Sequence, residues 1–275
     1  MRLSISNIAW EREEDPQIAE LLAEFSVDAI DVAPGKYFPA PTRASADEIA
    51  RVRQWWEARG VEIVGMQALL FGTSGLNLFG PTEVQQAMLD HLSAVCRIGA
   101  GLGANRLVFG SPKNRDRSGL DDGTVLDIAL PFLRRLGDIA GQHGVLVCLE
   151  PNPRHYGANF MVDSAETAKV VQAVAHPAIQ MQLDTGALAL NGETAAEVLP
   201  AYAGLIGHIH ASEPDLLPLG DGNAEHMAVA ALLRRHLPNH PVAIEMLATR
   251  QESHLASIRR ALRVADRAYR QELAA

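Results

Sequence analysis

The chain has 275 residues, of which 48% are hydrophobic and 21% are charged, and its formal net charge is −9. These values are typical of an ordinary globular protein that buries one large core. The acidic balance argues against a nucleic-acid partner, because contact with phosphates requires a basic surface. No apolar run approaches the roughly 20 residues that span a bilayer, so we expect no membrane segment.

Cysteine content and the N-terminus indicate the compartment. Cys96 falls in a predicted helix and Cys148 in a predicted strand, and two cysteines give no disulfide framework. Both are most simply buried apolar residues, which is typical of a reducing environment. The first residues, MRLSISNIAWE, lack the basic and apolar stretches of a signal peptide. We therefore expect a cytoplasmic protein.

Eight short apolar segments alternate with helical patterns along the chain. They span residues 2–9, 28–33, 61–69, 105–110, 145–150, 179–184, 205–210 and 242–247. Continuous apolar runs of this length are typical of strands that are covered on both faces. Eight such units in this length predict an α/β fold, a (β/α)₈ TIM barrel, as a single domain over residues 1–275. A doubly wound open sheet is the alternative, but no glycine-rich dinucleotide fingerprint follows the first segment.

Four side chains that can bind a metal close the last four predicted strands. Glu150, Asp184, His210 and Glu245 end the runs VLVCLE, IQMQLD, LIGHIH and PVAIE. In a parallel barrel these ends meet at one rim, which is where active sites lie. One carboxylate at a strand end is more often a helix cap or a rim ion pair, but three carboxylates and one imidazole at successive strand ends favour a divalent cation site. An oxygen-rich set with one imidazole suits Mn²⁺, Mg²⁺ or Co²⁺ better than Zn²⁺.

The runs LEPNP, LDTG, GHIHASE and AIEM resemble those of the xylose-isomerase-like TIM-barrel superfamily, which includes sugar isomerases, ketose 3-epimerases and inosose dehydratases. The resemblance implies a divalent metal, with Mn²⁺ favoured over Mg²⁺, Co²⁺ or Zn²⁺, on Glu150, Asp184, His210 and Glu245. It also implies that Glu150 and Glu245 exchange protons with a carbohydrate from opposite faces. A cation would stabilise the enediolate that forms when one Glu removes the proton next to a carbonyl.

The sequence differs from the epimerase pattern at three positions. Tyr156, Ala187 and Leu216 stand where the epimerases place a Glu, a His and an Arg that hold sugar hydroxyls. The resemblance therefore implies an intact metal site and a substrate other than a free ketohexose. A different polyol, a sugar acid or a modified sugar fits this pattern.

Three candidate substrate ligands lie on or near predicted strands. Trp10 could stack on a sugar face or lie buried under the barrel rim. Gln67 could reach a hydroxyl or satisfy the backbone. His208 points inward below His210, as a hydrogen-bonded core residue or as a residue that orients the metal ligand.

Four further candidates lie on predicted loops or at a helix start. Asn152 and His155 follow Glu150 and could donate hydrogen bonds to a substrate, or they could be ordinary loop residues. Glu213 could serve as an additional acid or cap a loop. His226 stands where a helix begins after a glycine-rich loop, so helix packing competes with substrate binding.

Four functions remain open at this point. The leading hypothesis is a metal-dependent sugar isomerase or epimerase. The alternative is a lyase that dehydrates a keto-inositol or a modified sugar, in which Glu213, His155 or His226 would protonate the leaving group. Apurinic endonucleases need additional histidines on strands 3, 4 and 6, where this chain offers Gln67, Phe109 and Ala187. A non-enzymatic binding subunit fits poorly with four intact ligands, and a homo-oligomer is compatible with any of these functions.

Overall fold

The computed structural model describes residues 1–271, and eight parallel strands within them close into a barrel. Each strand pairs with the next along the chain, and the last pairs with the first. This confirms the (β/α)₈ prediction and excludes an open sheet. The strands are β1 (Leu3–Ser6), β2 (Ala29–Val32), β3 (Glu62–Met66), β4 (Arg106–Phe109), β5 (Leu146–Leu149), β6 (Ile179–Asp184), β7 (Ile206–Ser212) and β8 (Val242–Glu245).

Helices cover the outside of the barrel. Helix α2 shows how local sequence sets a boundary: Ser45 Oγ accepts the Glu48 N–H, and the Glu48 carboxylate accepts the Ser45 N–H. Gly103 ends α3 in the left-handed conformation that glycine adopts at low cost. The helices are α1 (Asp15–Glu24), α2 (Ala46–Glu57), α3 (Thr82–Leu102), α4 (Asp122–Gln142), α5 (Ser164–Val174), α6 (Thr185–Asn191), α7 (Ala195–Tyr202), α8 (His226–His236) and α9 (His254–Ala265).

The predicted strand segments find all eight strands but misplace several ends. β1 stops at Ser6 because a short 3₁₀ helix, Asn7–Ala9, begins there and Ser6 Oγ accepts the Ile8 N–H. β7 continues to Ser212, two residues beyond the predicted end, because Ser212 still pairs with Glu245 of β8. This longer β7 adds a polar side chain to the end of the barrel that carries the predicted metal ligands.

The hydrophobic core is continuous between the barrel and its helices, and it includes both cysteines. Cys96 and Cys148 are free and buried, as expected, and burial raises the pKa of each thiol to about 12. Neither thiol ionises at neutral pH, so both behave as apolar core groups. Within residues 1–271, no helix combines the length and the apolar character required to cross a bilayer.

Candidate metal centre and active site

The four predicted metal ligands meet at one point on the rim of the barrel. Ligand atoms of Glu150, Asp184, His210 and Glu245 all lie within 4.8 Å of one another, and all four residues are buried. His210 Nδ1 is 3.1 Å from Glu245 Oε2, 3.7 Å from Glu150 Oε1 and 3.9 Å from Asp184 Oδ2. One imidazole nitrogen is thus surrounded by a carboxylate oxygen from each of three strands or strand ends.

The strands and one glycine place these side chains. Asp184 and Glu245 are the last residues of β6 and β8, His210 lies in β7, and Glu150 follows directly after β5. Gly110, just after β4, provides the space for the Glu150 carboxylate, because a Cβ at that position would lie 1.7 Å from Oε2. The approach of Glu150 to the cluster therefore requires a residue without a side chain at position 110.

Asp184 is oriented by Ser212 at the end of β7 and by the backbone of Ala187 at the start of α6. Ser212 Oγ lies 2.8 Å from both carboxylate oxygens, and the Ala187 N–H donates to Oδ1 at 2.6 Å. The carboxylate also caps the N-terminus of α6, so the helix-cap interpretation of a strand-end carboxylate holds for this residue as well. The cap leaves Oδ2 facing His210.

Three carboxylates in a buried site repel one another unless positive charge is supplied. Burial, Glu245 and Glu150 together raise the pKa of Asp184 to about 7. Burial disfavours the charged imidazole, but Glu245 and Glu150 raise the pKa of His210 well above its usual value. Burial also opposes ionisation of Glu245, yet the positive charge of His210 lowers the pKa of this carboxyl. Without a metal, protons on His210 and Asp184 supply the missing charge.

The donor set fits a hard divalent cation. Both ring nitrogens of His210 lack a hydrogen-bond partner of acceptable geometry among the residues that the structure describes, although His210 is fully buried. A buried imidazole without partners is costly, and a cation at Nδ1 would satisfy it. Three carboxylates and one imidazole match the preferences of Mn²⁺, Mg²⁺ or Co²⁺.

Beneath the cluster, Asp31 of β2 lies between two histidines. His208 Nε2 is 2.6 Å from Asp31 Oδ2, and His210 Nε2 is 4.0 Å from the same oxygen. Ser4 Oγ donates to the other oxygen at 2.8 Å. Asp31, His208 and His210 form a second group that could hold an ion, but Asp31 already accepts hydrogen bonds from Ser4 and His208. We therefore interpret this group as support for the His210 ring.

Comparison with known proteins agrees with this geometry. The sequence pattern of the family described as xylose isomerase-like TIM barrel matches residues 19–268. The chain belongs to this family. The resemblance predicted from the strand-end motifs is confirmed.

Solved structures of several sugar epimerases share the fold over nearly the whole chain. D-psicose 3-epimerase from Clostridium cellulolyticum H10, solved with D-tagatose, is 16% identical with a TM-score of 0.81, covering 98% of this chain and 99% of that chain. An L-ribulose 3-epimerase is 15% identical with a TM-score of 0.78, covering 98% and 94%. The 3-keto-D-glucoside 4-epimerase from E. coli is 18% identical with a TM-score of 0.76, covering 96% and 98%. Identities this low establish a common fold alone.

On this family's barrel, three of the seven other candidate residues touch the cluster or its support. Gln67 Nε2 donates to Glu245 Oε1 at 2.5 Å, and Asn152 Nδ2 donates to Glu150 Oε2 at 2.9 Å. His208 bonds Asp31, as described above. The first two contacts orient cluster residues, and the third orients the supporting Asp31.

Glu213 and His226 form a separate buried group with Tyr269. Glu213 accepts the N–H of Gly220 at 2.8 Å and that of Ala224 at 2.9 Å, and His226 Nε2 lies 3.1 Å from Glu213 Oε1. His226 Nδ1 is 2.8 Å from the Tyr269 hydroxyl. Both oxygens of Glu213 are thus used to hold the loop between β7 and α8. These contacts match the loop-capping and helix-packing alternatives.

Trp10 and His155 also lie outside the cluster. Trp10 is completely buried, and its indole N–H donates to Asp15 at 2.7 Å, so the ring offers no exposed face for a sugar. This placement corresponds to the buried alternative. His155 is exposed on the loop after β5, where Nε2 lies 2.7 Å from Asp215 Oδ1 of the loop after β7.

Sequence reasoning missed three residues that contact the cluster or its support: Asp31, Ser212 and Arg115. Asp31 had a visible signal, since an acidic residue interrupts the apolar run DAIDVA. Ser212 was missed because the predicted β7 ended two residues too early. Arg115 lies in a polar loop, SPKNRDR, where no pattern distinguishes a buried arginine from exposed ones.

Proposed function

We propose that this chain is a divalent-metal-dependent isomerase or epimerase that acts on a sugar or polyol through an enediolate, with Glu150 and Glu245 as its acid–base pair. The observation that carries the proposal is the convergence of Glu150, Asp184, His210 and Glu245 within 4.8 Å at the barrel rim. The solved structures with the same fold that bear epimerase names support it.

The four residues would hold a cation, with Mn²⁺ as the best fit and Mg²⁺, Co²⁺ or Zn²⁺ as alternatives. When bound, the cation would polarise a substrate carbonyl and stabilise negative charge on its oxygen. Asp184 and His210 would serve as ligands only. Ser212 and Ala187 fix the orientation of Asp184, and His210 Nε2 lies 4.0 Å from Asp31 Oδ2, away from the cluster.

Glu150 and Glu245 are suited to move the proton. They extend from β5 and β8, which are not neighbours in the barrel, and therefore approach the cluster from different sides. The lowered pKa of Glu245 keeps it ionised, so it can accept a proton from the carbon next to a carbonyl. Gln67 donates to one carboxylate oxygen of Glu245, and Asn152 donates to one carboxylate oxygen of Glu150. The other oxygen of each carboxylate faces the cluster.

The proposed substrate is a small carbohydrate other than a free ketohexose. At two positions where the epimerases hold hydroxyls with charged residues, this chain has Tyr156 and Leu216. Tyr156 is partly exposed, and its hydroxyl accepts the Asp215 N–H at 2.8 Å. This contact ties the loop after β5 to the loop after β7, next to Leu216. An aromatic ring and an aliphatic chain favour a polyol, sugar acid or modified sugar with fewer free hydroxyls on that side.

A lyase is the alternative, because removal of the same proton precedes elimination. That reaction needs an acid for the leaving group. Glu213 and His226 are committed to the β7–α8 loop, which leaves His155 as the exposed candidate. The geometry therefore supports the isomerase or epimerase better.

Proton exchange in deuterated water tests the proposal. Mn²⁺-loaded protein is incubated with ketoses, keto-inositols, keto-glycosides and sugar acids, and loss of the signal of the proton next to the carbonyl is followed by NMR. A deuterated epimer or isomer supports the proposal, whereas a dehydrated product indicates the lyase. Absence of exchange with every compound, by protein shown to bind Mn²⁺, would contradict both.

A further inference from the structure

Arg115 is buried at the end of a short 3₁₀ turn after β4. Its side chain is 1% exposed, and it is the one Lys or Arg buried among residues 1–271. Burial lowers the pKa of its guanidinium to about 10, so the group still carries its charge at neutral pH. A buried charge is expensive, and an apolar residue of similar volume would commonly serve stability equally well. The position of this charge therefore calls for a reason beyond packing.

The hydrogen bonds of the guanidinium all go to the segment that carries Glu150. Nη2 donates to the backbone carbonyl of Glu150 at 2.7 Å and to Oδ1 of Asn152. Nε and Nη1 have no hydrogen-bond partner among the described residues. Two unsatisfied donors show that the site is poorly optimised for stability, whereas its two hydrogen bonds converge on one metal-ligand segment.

The turn that carries Arg115 is itself fixed from the neighbouring loop. Asn114 Nδ2 donates to the Leu76 carbonyl at 2.7 Å, and the Asn114 carbonyl accepts the Leu78 N–H at 2.8 Å. On the other side, the backbone N–H of Asn152 donates to the Met161 carbonyl at 2.9 Å. Arg115 and Asn152 thus face each other from two anchored loops.

Hydrogen-bond chemistry then decides how the Asn152 amide is turned. A guanidinium only donates, so it must face the amide oxygen, and the amide nitrogen must point the opposite way. That nitrogen donates to Glu150 Oε2 at 2.9 Å, while Glu150 Oε1 lies 3.7 Å from His210 Nδ1. If the amide turned over, an oxygen would face the Glu150 carboxylate and repel it.

We propose that Arg115 is a positioning residue that acts through Asn152 to keep Glu150 Oε1 directed at the metal. This inference rests on the proposed metal-binding function and deepens it. Arg115 fixes which way the Asn152 amide is turned, and the amide nitrogen then donates to Glu150 Oε2. Glu150 Oε1 remains available to the proposed cation.

A double-mutant cycle on Mn²⁺ affinity tests the relay. The variants are Arg115→Met, Asn152→Ala and the pair, and the dissociation constant is measured by competition with a chromogenic chelator. Each single variant is expected to lose about 10- to 100-fold in affinity, the range for groups that orient metal ligands. Because both act through one amide, the double variant should lose no more than the weaker-binding single variant, instead of the product of the two losses.

Two further variants separate positioning from folding. Arg106→Met is the matched control, since Arg106 also donates to a backbone carbonyl, that of Gly207, but from the opposite end of β4. It should bind Mn²⁺ as the wild type does. Asn152→Asp keeps the shape and the partner of Arg115 but turns an oxygen toward Glu150, so it should lose affinity with its fold intact. This variant also serves as the test if Arg115→Met does not fold.

The outcomes are distinguishable. Mn²⁺ affinity that is unchanged in Arg115→Met or in Asn152→Asp overturns the relay, and so do losses that multiply in the double variant. A folded wild type that binds no Mn²⁺ overturns both the relay and the proposed function. The relay is established if the double variant loses no more Mn²⁺ affinity than the weaker-binding single variant and the circular dichroism spectra are unchanged.

Discussion

Gln67 and Glu245, 178 positions apart in the chain, are joined by a hydrogen bond of 2.5 Å across the barrel. Gln67 follows β3 directly, and Glu245 ends β8, so the contact links loop and strand ends that are not adjacent. It occupies Glu245 Oε1 and contributes to the lowered pKa of that carboxyl. Glu245 Oε2, which faces His210, therefore remains free to bind a metal or to accept a proton.

Replacement of Gln67 by Leu should reduce turnover of an identified substrate by about 10- to 100-fold, because Glu245 loses the donor that orients it. Steady-state kinetics of the Mn²⁺-loaded protein measure this effect. Gln182→Leu is the matched control, since neither polar atom of this buried side chain has a partner among the described residues. Equal losses in both variants would indicate general damage to the barrel interior.

Metal binding should depend on the strand-end residues and not on the loop acid. His210→Ala and Asp184→Ala should lose bound Mn²⁺, because each removes one of four ligands. Glu213→Ala should retain it but lose about 1–3 kcal/mol of stability, since the N–H groups of Gly220 and Ala224 lose their acceptor. Elemental analysis and urea denaturation measure the two effects. Metal loss in Glu213→Ala would place that carboxylate in the site.

The acid–base pair should be separable from metal binding. Glu245→Gln preserves the shape of the side chain but removes the base, so turnover should fall by at least about a hundredfold while Mn²⁺ stays bound. Glu150→Gln should behave in the same way. Exchange of substrate protons with deuterated water checks the assignment. If exchange continues in both variants while product formation stops, another residue abstracts the proton, with His155 the exposed candidate.

The stability of metal-free protein should fall as pH rises from about 6.5 to 8, because the folded state holds a proton on Asp184 and His210 that the unfolded state releases. The pKa of Asp184 is raised to about 7 and that of His210 lies well above its usual value, so this stability is present at low pH and lost through the folded-state pKa. Denaturation of chelator-treated protein measures it.

A matched variant and the addition of Mn²⁺ test the same pH dependence of stability. Asp184→Asn should show a smaller loss over this range, because it removes one of the two titrating groups. Added Mn²⁺ should stabilise the wild type more at pH 8 than at pH 6.5, since the ligands must release their protons to bind it. Stability of the metal-free wild type that stays level or rises would contradict the charge assignment.

Gly110→Ala should abolish tight metal binding, because the added Cβ would lie 1.7 Å from Glu150 Oε2 and must displace the carboxylate. Gly141→Ala is the control: a Cβ there meets nothing within 4 Å, and the residue lies in α4. The control should bind Mn²⁺ normally and gain roughly 0.5–1 kcal/mol of stability, the helical preference of alanine. Normal Mn²⁺ affinity in Gly110→Ala would show that Glu150 is not a ligand.

The existence of the eight strands, and the metal-competent side chains that close four of them, were predictable from the sequence because apolar runs and the polar residues after them are local features. Glu150, Asp184, His210 and Glu245 could be placed on one rim for that reason. The contacts that orient them were not predictable, since Asp31, Gln67 and Arg115 reach the site through barrel closure and loop paths. Glu213 shows the limit most clearly: next to the metal strand in sequence, it turns to hold its own loop.

Strand β7 carries His208, His210 and Ser212 at alternate positions, and each supports a different level of the site. Because side chains alternate between the two faces of a strand, one residue inserted or deleted immediately before His208 would turn all three side chains to the other face of β7. The same change between Gly220 and Ala224 would alter only a loop. Length variation that preserves metal binding is therefore confined to the loop, where a new substrate shape can be accommodated while the metal ligands keep their spacing.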